Sequence, residues 1–195
     1  MKTILITLFQ GVEAKSVLRT SICKNLVSQP NLKVVFLVGS KERVEYYKKE
    51  FNHSNVVYEI VLTPKFGFWD NFFTNLSFRL LKTETIALRQ RMILEENKNY
   101  LAYFFNWILN SLLARSWVRK LVRWLDYFIV RDNFFVSYFE KYKPSVVFFA
   151  HLFDGLEINL LKEAKRRNIK TIGFINSWDK LTARNIIRVL PDKLL

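Results

Sequence analysis

Residues 145–175 read SVVFFAHLFDGLEINLLKEAKRRNIKTIGFI, and this stretch decides the fold class. Ser145 to Ala150 is a continuous apolar run, as a strand buried on both faces of a parallel sheet must be. From Asp154 to Asn168 the apolar Leu156, Leu160, Leu161 and Ala164 recur at helical spacing. Ile169 to Ile175 reads as a further strand. Strand, helix and strand in about 30 residues form a unit whose crossover is right-handed.

The same alternation opens the chain. Thr3 to Phe9 reads as a buried strand broken by Gln10-Gly11, and Val12 to Ser28 as one helix with Val17, Leu18, Ile22 and Leu26 on its apolar face. Pro30-Asn31 ends that helix. Leu32 to Val38 is a second strand, and Ser40 is placed to cap a polar helix running to about Phe51. Asn55 to Leu62 gives a third strand. The expected fold is therefore α/β, a Rossmann-like parallel sheet flanked by helices. Between about 67 and 142 the pattern changes to aromatic, basic helices near 69–82, 84–96, 100–114, 116–130 and 131–142, read as an insertion within one domain spanning 1–195.

Composition narrows the function classes. The chain has 195 residues, 18 Phe, 5 Trp, 8 Tyr and a formal charge of +14. Its one cysteine, Cys23, lies in an apolar-periodic stretch, which excludes an internal disulfide framework and fits a reducing compartment. The longest apolar stretch, Tyr100 to Ala114, is about 15 residues and falls short of the roughly 20 that span a bilayer. The expected location is cytoplasmic. His53, His151 and Cys23 are far apart in the sequence, so no metal site is expected. Nucleic acid is an unfavoured partner, because no zinc-finger spacing, RNP-like strand or helix-turn-helix accompanies the positive charge.

Ligands of open parallel sheets bind outside the carboxyl ends of the strands. Four such ends carry polar residues. After the first strand come Gly11, Glu13 and Lys15, with Gly11 read as a turn residue and Glu13 either as a cap or as a catalytic base. Gly39-Ser40-Lys41 reads as turn and cap. His151 and Asp154 follow the SVVFFA strand, where histidine is a natural base near neutral pH and Asp154 could equally be a helix cap. Ser177, Trp178, Asp179 and Lys180 follow the IKTIGFI strand. There a tryptophan could stack on a sugar while its neighbours supply hydrogen bonds. No GxGxxG or Walker A pattern occurs.

The segments Glu163-Ala164-Lys165-Arg166-Arg167-Asn168-Ile169-Lys170-Thr171, Ser177-Trp178-Asp179-Lys180-Leu181-Thr182 and Pro191-Asp192-Lys193-Leu194, with the opening KTILITLFQGVEAKSVLRT, carry a resemblance. They are similar to the N-terminal domain of bacterial GT-B-type glycosyltransferase-like proteins, a group with surface-polysaccharide transferases, glycerophosphotransferases and UDP-sugar 2-epimerases. Lys180 stands where those proteins usually have Asn, and Asn168 where they usually have Gly. The resemblance implies a domain that receives a saccharide or lipid-linked acceptor. It also implies a nucleotide-activated donor held by a C-terminal domain or second chain, with no cofactor in this chain. It offers Glu13 and His151 as catalytic candidates, and Gly11, Lys15, Asp154, Ser177, Trp178, Asp179 and Lys180 as substrate-binding ones. Leu194 and Leu195 read as the start of a strand, so the chain is expected to stop short of the donor domain.

The segment ARSWVRKLVRWLDYFIVR (114–131) forms an amphipathic helix with Trp117, Leu121, Trp124, Leu125 and Phe128 on one face and Arg115, Arg119 and Arg123 opposite. Two readings stay open. Either the aromatic face packs on the sheet and the arginines are solvated, or the arginines meet an anionic membrane at the inner face of the plasma membrane. The function alternatives are a UDP-sugar 2-epimerase-like half and a non-catalytic domain that binds a membrane or a partner.

Overall fold

The structure, a computed structural model, describes residues 1–177, 179–183 and 185–195, the side chains of residues 179 and 183 excepted. It is an α/β fold in which the chain divides into two compact units. The first comprises Met1–Lys65, Asp132–Asn176 and Leu190–Leu195, the second Phe66–Arg131 and Ser177–Val189.

The first unit holds a six-stranded sheet built from β1 (Lys2–Leu8), β2 (Leu32–Val38), β3 (Val56–Ile60), β4 (Val146–Phe149), β5 (Lys170–Gly173) and β6 (Lys193–Leu194). The strand order is β3-β2-β1-β4-β5-β6 and every pairing is parallel. This is the order of a doubly wound, Rossmann-like sheet. β1 and β2 pair along their whole length, from Lys2 with Leu32 to Leu8 with Val38.

Alternation along these strands fills both faces. Ile6, Leu8, Val34, Phe36 and Val38 pack with Ala14, Val17 and Leu18 of α1 (Gly11–Leu18) and with Val44 and Tyr47 of α3 (Lys41–Glu50). Leu5, Val35 and Leu37, with opposite parity, are buried too. Cys23, on α2 (Ser21–Val27), is in the first of these clusters, and burial raises its thiol above the ordinary range. The Val12–Ser28 segment is thus two helices rather than one. At the break, the Thr20 hydroxyl donates to the carbonyls of Ser16 and Val17, competing with the helical pattern.

Ser40 caps α3 as expected, accepting the Arg43 N–H at 3.3 Å. Of the expected 131–142 helix only α8 (Val136–Tyr142) forms, because the Asp132 side chain takes the Phe134 N–H and holds a turn. α9 (Gly155–Arg166) packs against β4 and β5. It ends before Asn168, which adopts φ 55. Asparagine is one of the few side chains that tolerate this left-handed conformation. Gly173 in β5 serves closeness: a Cβ there would meet Leu152 Cδ1 at 2.7 Å and Pro191 Cγ at 2.8 Å. The Asp192 carboxylate ties β6 to its neighbours, accepting from Thr171 N at 2.9 Å and from its hydroxyl at 2.8 Å. Lys165, 2.8 Å away, and these donors hold Asp192 below the usual carboxylate range.

The second unit is helical: α4 (Phe68–Ser77), α5 (Glu84–Asn97), α6 (Tyr100–Leu113), α7 (Ser116–Ile129) and α10 (Asp179–Ala183). The sequence pattern reads 176–182 as a loop, whereas α10 takes up residues 179–183. Leu80, Val118 and Ile186 form a small apolar core. Polar contacts supply much of its order. Buried Arg188 pairs with Asp126 at 2.8 Å and Asp70 at 2.7 Å, and donates to the Thr74 hydroxyl at 2.8 Å. Asn110 donates to the carbonyls of Arg79 and Leu81.

α7 settles one of the two readings of the 114–131 segment. Its core-facing side carries Val118, half-buried Val122 and Asp126, while Trp117 is 62% and Trp124 58% exposed, with Leu121 and Phe128 also exposed. The aromatic face is exposed rather than buried. The arginines are not all solvated: Arg115 is exposed, Arg119 half-buried, and half-buried Arg123 donates to the Ile187 carbonyl at 2.8 Å. Burial pushes the Arg123 guanidinium below its ordinary value. Trp and Phe on the outside and Val and Asp inside fit because Asp126 has Arg188 as its buried counter-ion.

Candidate functional site

β1 and β4 are neighbours at the centre of the sheet, and the strand order runs outward from them in opposite directions. Loops leaving their carboxyl ends therefore diverge and leave a crevice. Gln10, just before α1, and His151 and Asp154, just before α9, stand at this place.

Glu13 lies in the first turn of α1 and turns inward, 0% exposed. Its carboxylate accepts the Gln10 N–H at 2.9 Å, the reciprocal bond of a helix cap. His151 follows β4 and is 1% exposed. Its Nδ1 accepts the Phe153 N–H at 3.2 Å, so the neutral ring carries its proton on Nε2. Glu157, in the first turn of α9, is 1% exposed. One ligand-type atom from each of Glu13, His151 and Glu157 lies within 4.8 Å of the others.

Two carboxyl groups buried this closely do not both ionise readily. Burial first, and then the charges of Glu13 and Asp154, raise Glu157 well above the usual carboxylate range. Glu157 is thus the proton-bearing member. Both glutamates sit where a helix N-terminus favours negative charge, which helps hold the charge that remains. Asp154 caps α9 with its backbone but not with its side chain. Its carboxylate instead accepts from the Gln10 side-chain amide, linking the two loops across the crevice. Asp154 Oδ2 lies 3.8 Å from His151 Nδ1, and the Asp154 side chain is 39% exposed against 1% for His151. The cluster is a buried proton-holding group with one solvent-reachable carboxylate in front of it.

Two carboxylates and an imidazole are also a fitting donor set for a divalent cation. Among the described residues this is the one such group. Sequence spacing concealed it, since the glutamates lie far apart in the chain.

Of the sequence-expected residues, Glu13, His151 and Asp154 come together. Lys15 is exposed and lines a separate cavity of about 430 Å³ between α1 and α3 with Arg19, Arg43 and Tyr46; no residue of the cluster lines it. Gly11 has no positive φ and open space where a Cβ would stand, so it starts a helix without needing to be glycine. Ser177 and Lys180 are half-buried and belong to the helical unit. Trp178 and the side chain of Asp179 lie outside the described residues. Sequence reasoning missed Gln10 and Glu157. A signal for Glu157 existed: it stands three and four residues before Leu160 and Leu161, on the face whose neighbours are buried. No protein-family model and no curated protein matches the chain.

Proposed function

We propose that the chain is the acceptor-side domain of a GT-B-type transferase of cell-envelope polysaccharide synthesis, working in the cytoplasm at the inner face of the plasma membrane. The observation that supports this reading is the polar cluster at the β1/β4 switch point. Asp154 is placed to take the proton of an acceptor hydroxyl. His151 and the Glu13–Glu157 pair, too deep to touch substrate, pack behind that carboxylate and hold it in position. The hydroxyl oxygen then attacks the donor's sugar carbon or phosphorus, and the nucleotide leaves on the donor side. A nucleotide-activated sugar or polyol phosphate would be held by a second domain or chain. The resemblance of the SWDKLT and PDKLL segments supports the same assignment.

The test is ligand-observed NMR on the chain, with glycerol-phosphate and hexosamine-containing oligomers as acceptor mimics and UDP and CDP as donor mimics. Binding of an acceptor mimic, weakened by Asp154→Asn without loss of fold, is the expected result. Binding of UDP or CDP with indifference to every acceptor mimic would overturn it.

A further inference from the structure

We propose that α7 lies in the headgroup region of an anionic bilayer with Trp117, Leu121, Trp124 and Phe128 inserted. The inference deepens the membrane-surface part of the reading above and does not depend on its transferase part. These four side chains recur at helical spacing along one stripe, and all four are exposed. Scattered surface apolar residues need no explanation, but a continuous aromatic stripe marks a contact surface.

The stripe is held outward by its own unit. Asp126, two residues from both Trp124 and Phe128 and so about half a turn away, pairs with buried Arg188. On the neighbouring α4, Asp70 pairs with the same guanidinium, and exposed Phe68 and Phe72 stand two residues on either side of it. A single buried cation thus sets Phe68 and Phe72 of α4, with Trp124 and Phe128 of α7, on the outer side, while Phe73 of α4 is buried. Trp69 joins Phe68 and Phe72 edge to face.

Length and charge select the occupant. At 14 residues α7 is about 21 Å long, too short to cross a hydrocarbon core of about 30 Å, so it lies in the plane. Tryptophan and phenylalanine favour the interface of a bilayer. Exposed Lys120 stands three residues after Trp117 and four before Trp124, at the edge of the stripe, exposed Arg131 follows the helix, and the sole acid of α7, Asp126, is buried. That rim attracts anionic headgroups. A second copy of this chain, itself at +14, would set like charges against one another. The contact residues are therefore the aromatic stripe with Lys120 beside it and Arg131 after it. Arg123 is committed to Ile187.

The experiment is vesicle sedimentation with phosphatidylcholine alone and with phosphatidylglycerol added, using wild-type chain, Trp117→Ser/Trp124→Ser and Lys120→Glu. Expected are binding to the anionic vesicles that weakens with salt, quenching of tryptophan fluorescence by brominated lipid, and at least about tenfold weaker binding by the double variant. Both substituted tryptophans are exposed, so circular dichroism is expected to stay unchanged. Lys120→Glu should weaken binding to anionic vesicles only. Equal binding to neutral vesicles, no binding to either, or conversion of a wild-type dimer to monomer by the double variant would each overturn the proposal. The saccharide-binding assay reads a different surface, so failure of one reading leaves the other visible.

Discussion

Replacing Glu157 with glutamine tests the chemistry assigned to the buried cluster. In the folded chain Glu157 keeps its proton because burial and the Glu13 and Asp154 charges disfavour a second carboxylate. Unfolded, it ionises near an ordinary value of about 4.3. Below that value both states hold the proton and folding is indifferent to pH. Above it the unfolded chain binds one proton fewer, and stability falls by about 1.4 kcal/mol per pH unit until the folded carboxyl ionises too. The slope belongs to the Glu13–Glu157 pair, since the two exchange the same proton. Glutamine is nearly isosteric, cannot ionise, and still donates toward Glu13. Glu157→Gln should match wild type near pH 4 and become progressively more stable than it above about pH 5, at up to that slope. Urea unfolding followed by far-ultraviolet circular dichroism at a series of pH values measures the difference directly. Other titrating groups largely cancel, because only one side chain differs. Parallel wild-type and variant profiles would refute the assigned proton. A variant weaker at every pH, with wild type stabilised by added Zn²⁺ or Mn²⁺, would show instead that Glu157 is an ionised metal ligand.

Arg188→Met leaves Asp70 and Asp126 buried without their shared cation, and denaturant melts should show a loss of about 3–5 kcal/mol. Adding Asp70→Asn and Asp126→Asn to that variant should recover part of the loss, whereas additive losses would deny the network. Gly173→Ala forces a methyl to within 2.7 Å of Leu152 Cδ1 and 2.8 Å of Pro191 Cγ. It should cost about 1–3 kcal/mol by the same measurement, and a neutral result would mean that the loop around Leu152 yields easily.

The sheet was legible in the sequence because strands buried on both faces must be apolar throughout. The runs at 3–9, 32–38 and 145–150 have no other use for so many branched side chains, and β2 falls on the expected residues. The Ser40 cap was legible because it depends on groups three residues apart. The short second helix and the missing turn before α8 were not. Thr20 and Asp132 divert the local hydrogen bonding by contacts that periodicity does not register. At the candidate site, the sequence marked His151 and Asp154 by their place after an apolar strand. It could not assemble Glu13 and Glu157 around them, because their meeting depends on β1 and β4 being neighbours in the sheet, which brings Gln10 to Asp154, 144 positions along the chain. The outward turn of α7 is the clearest decision of tertiary structure. Amphipathicity fixed its two faces, but hydrophobicity alone would bury the tryptophans. A single buried arginine, 62 residues away in sequence, took the aspartate side inward and left the aromatic side to whatever covers it.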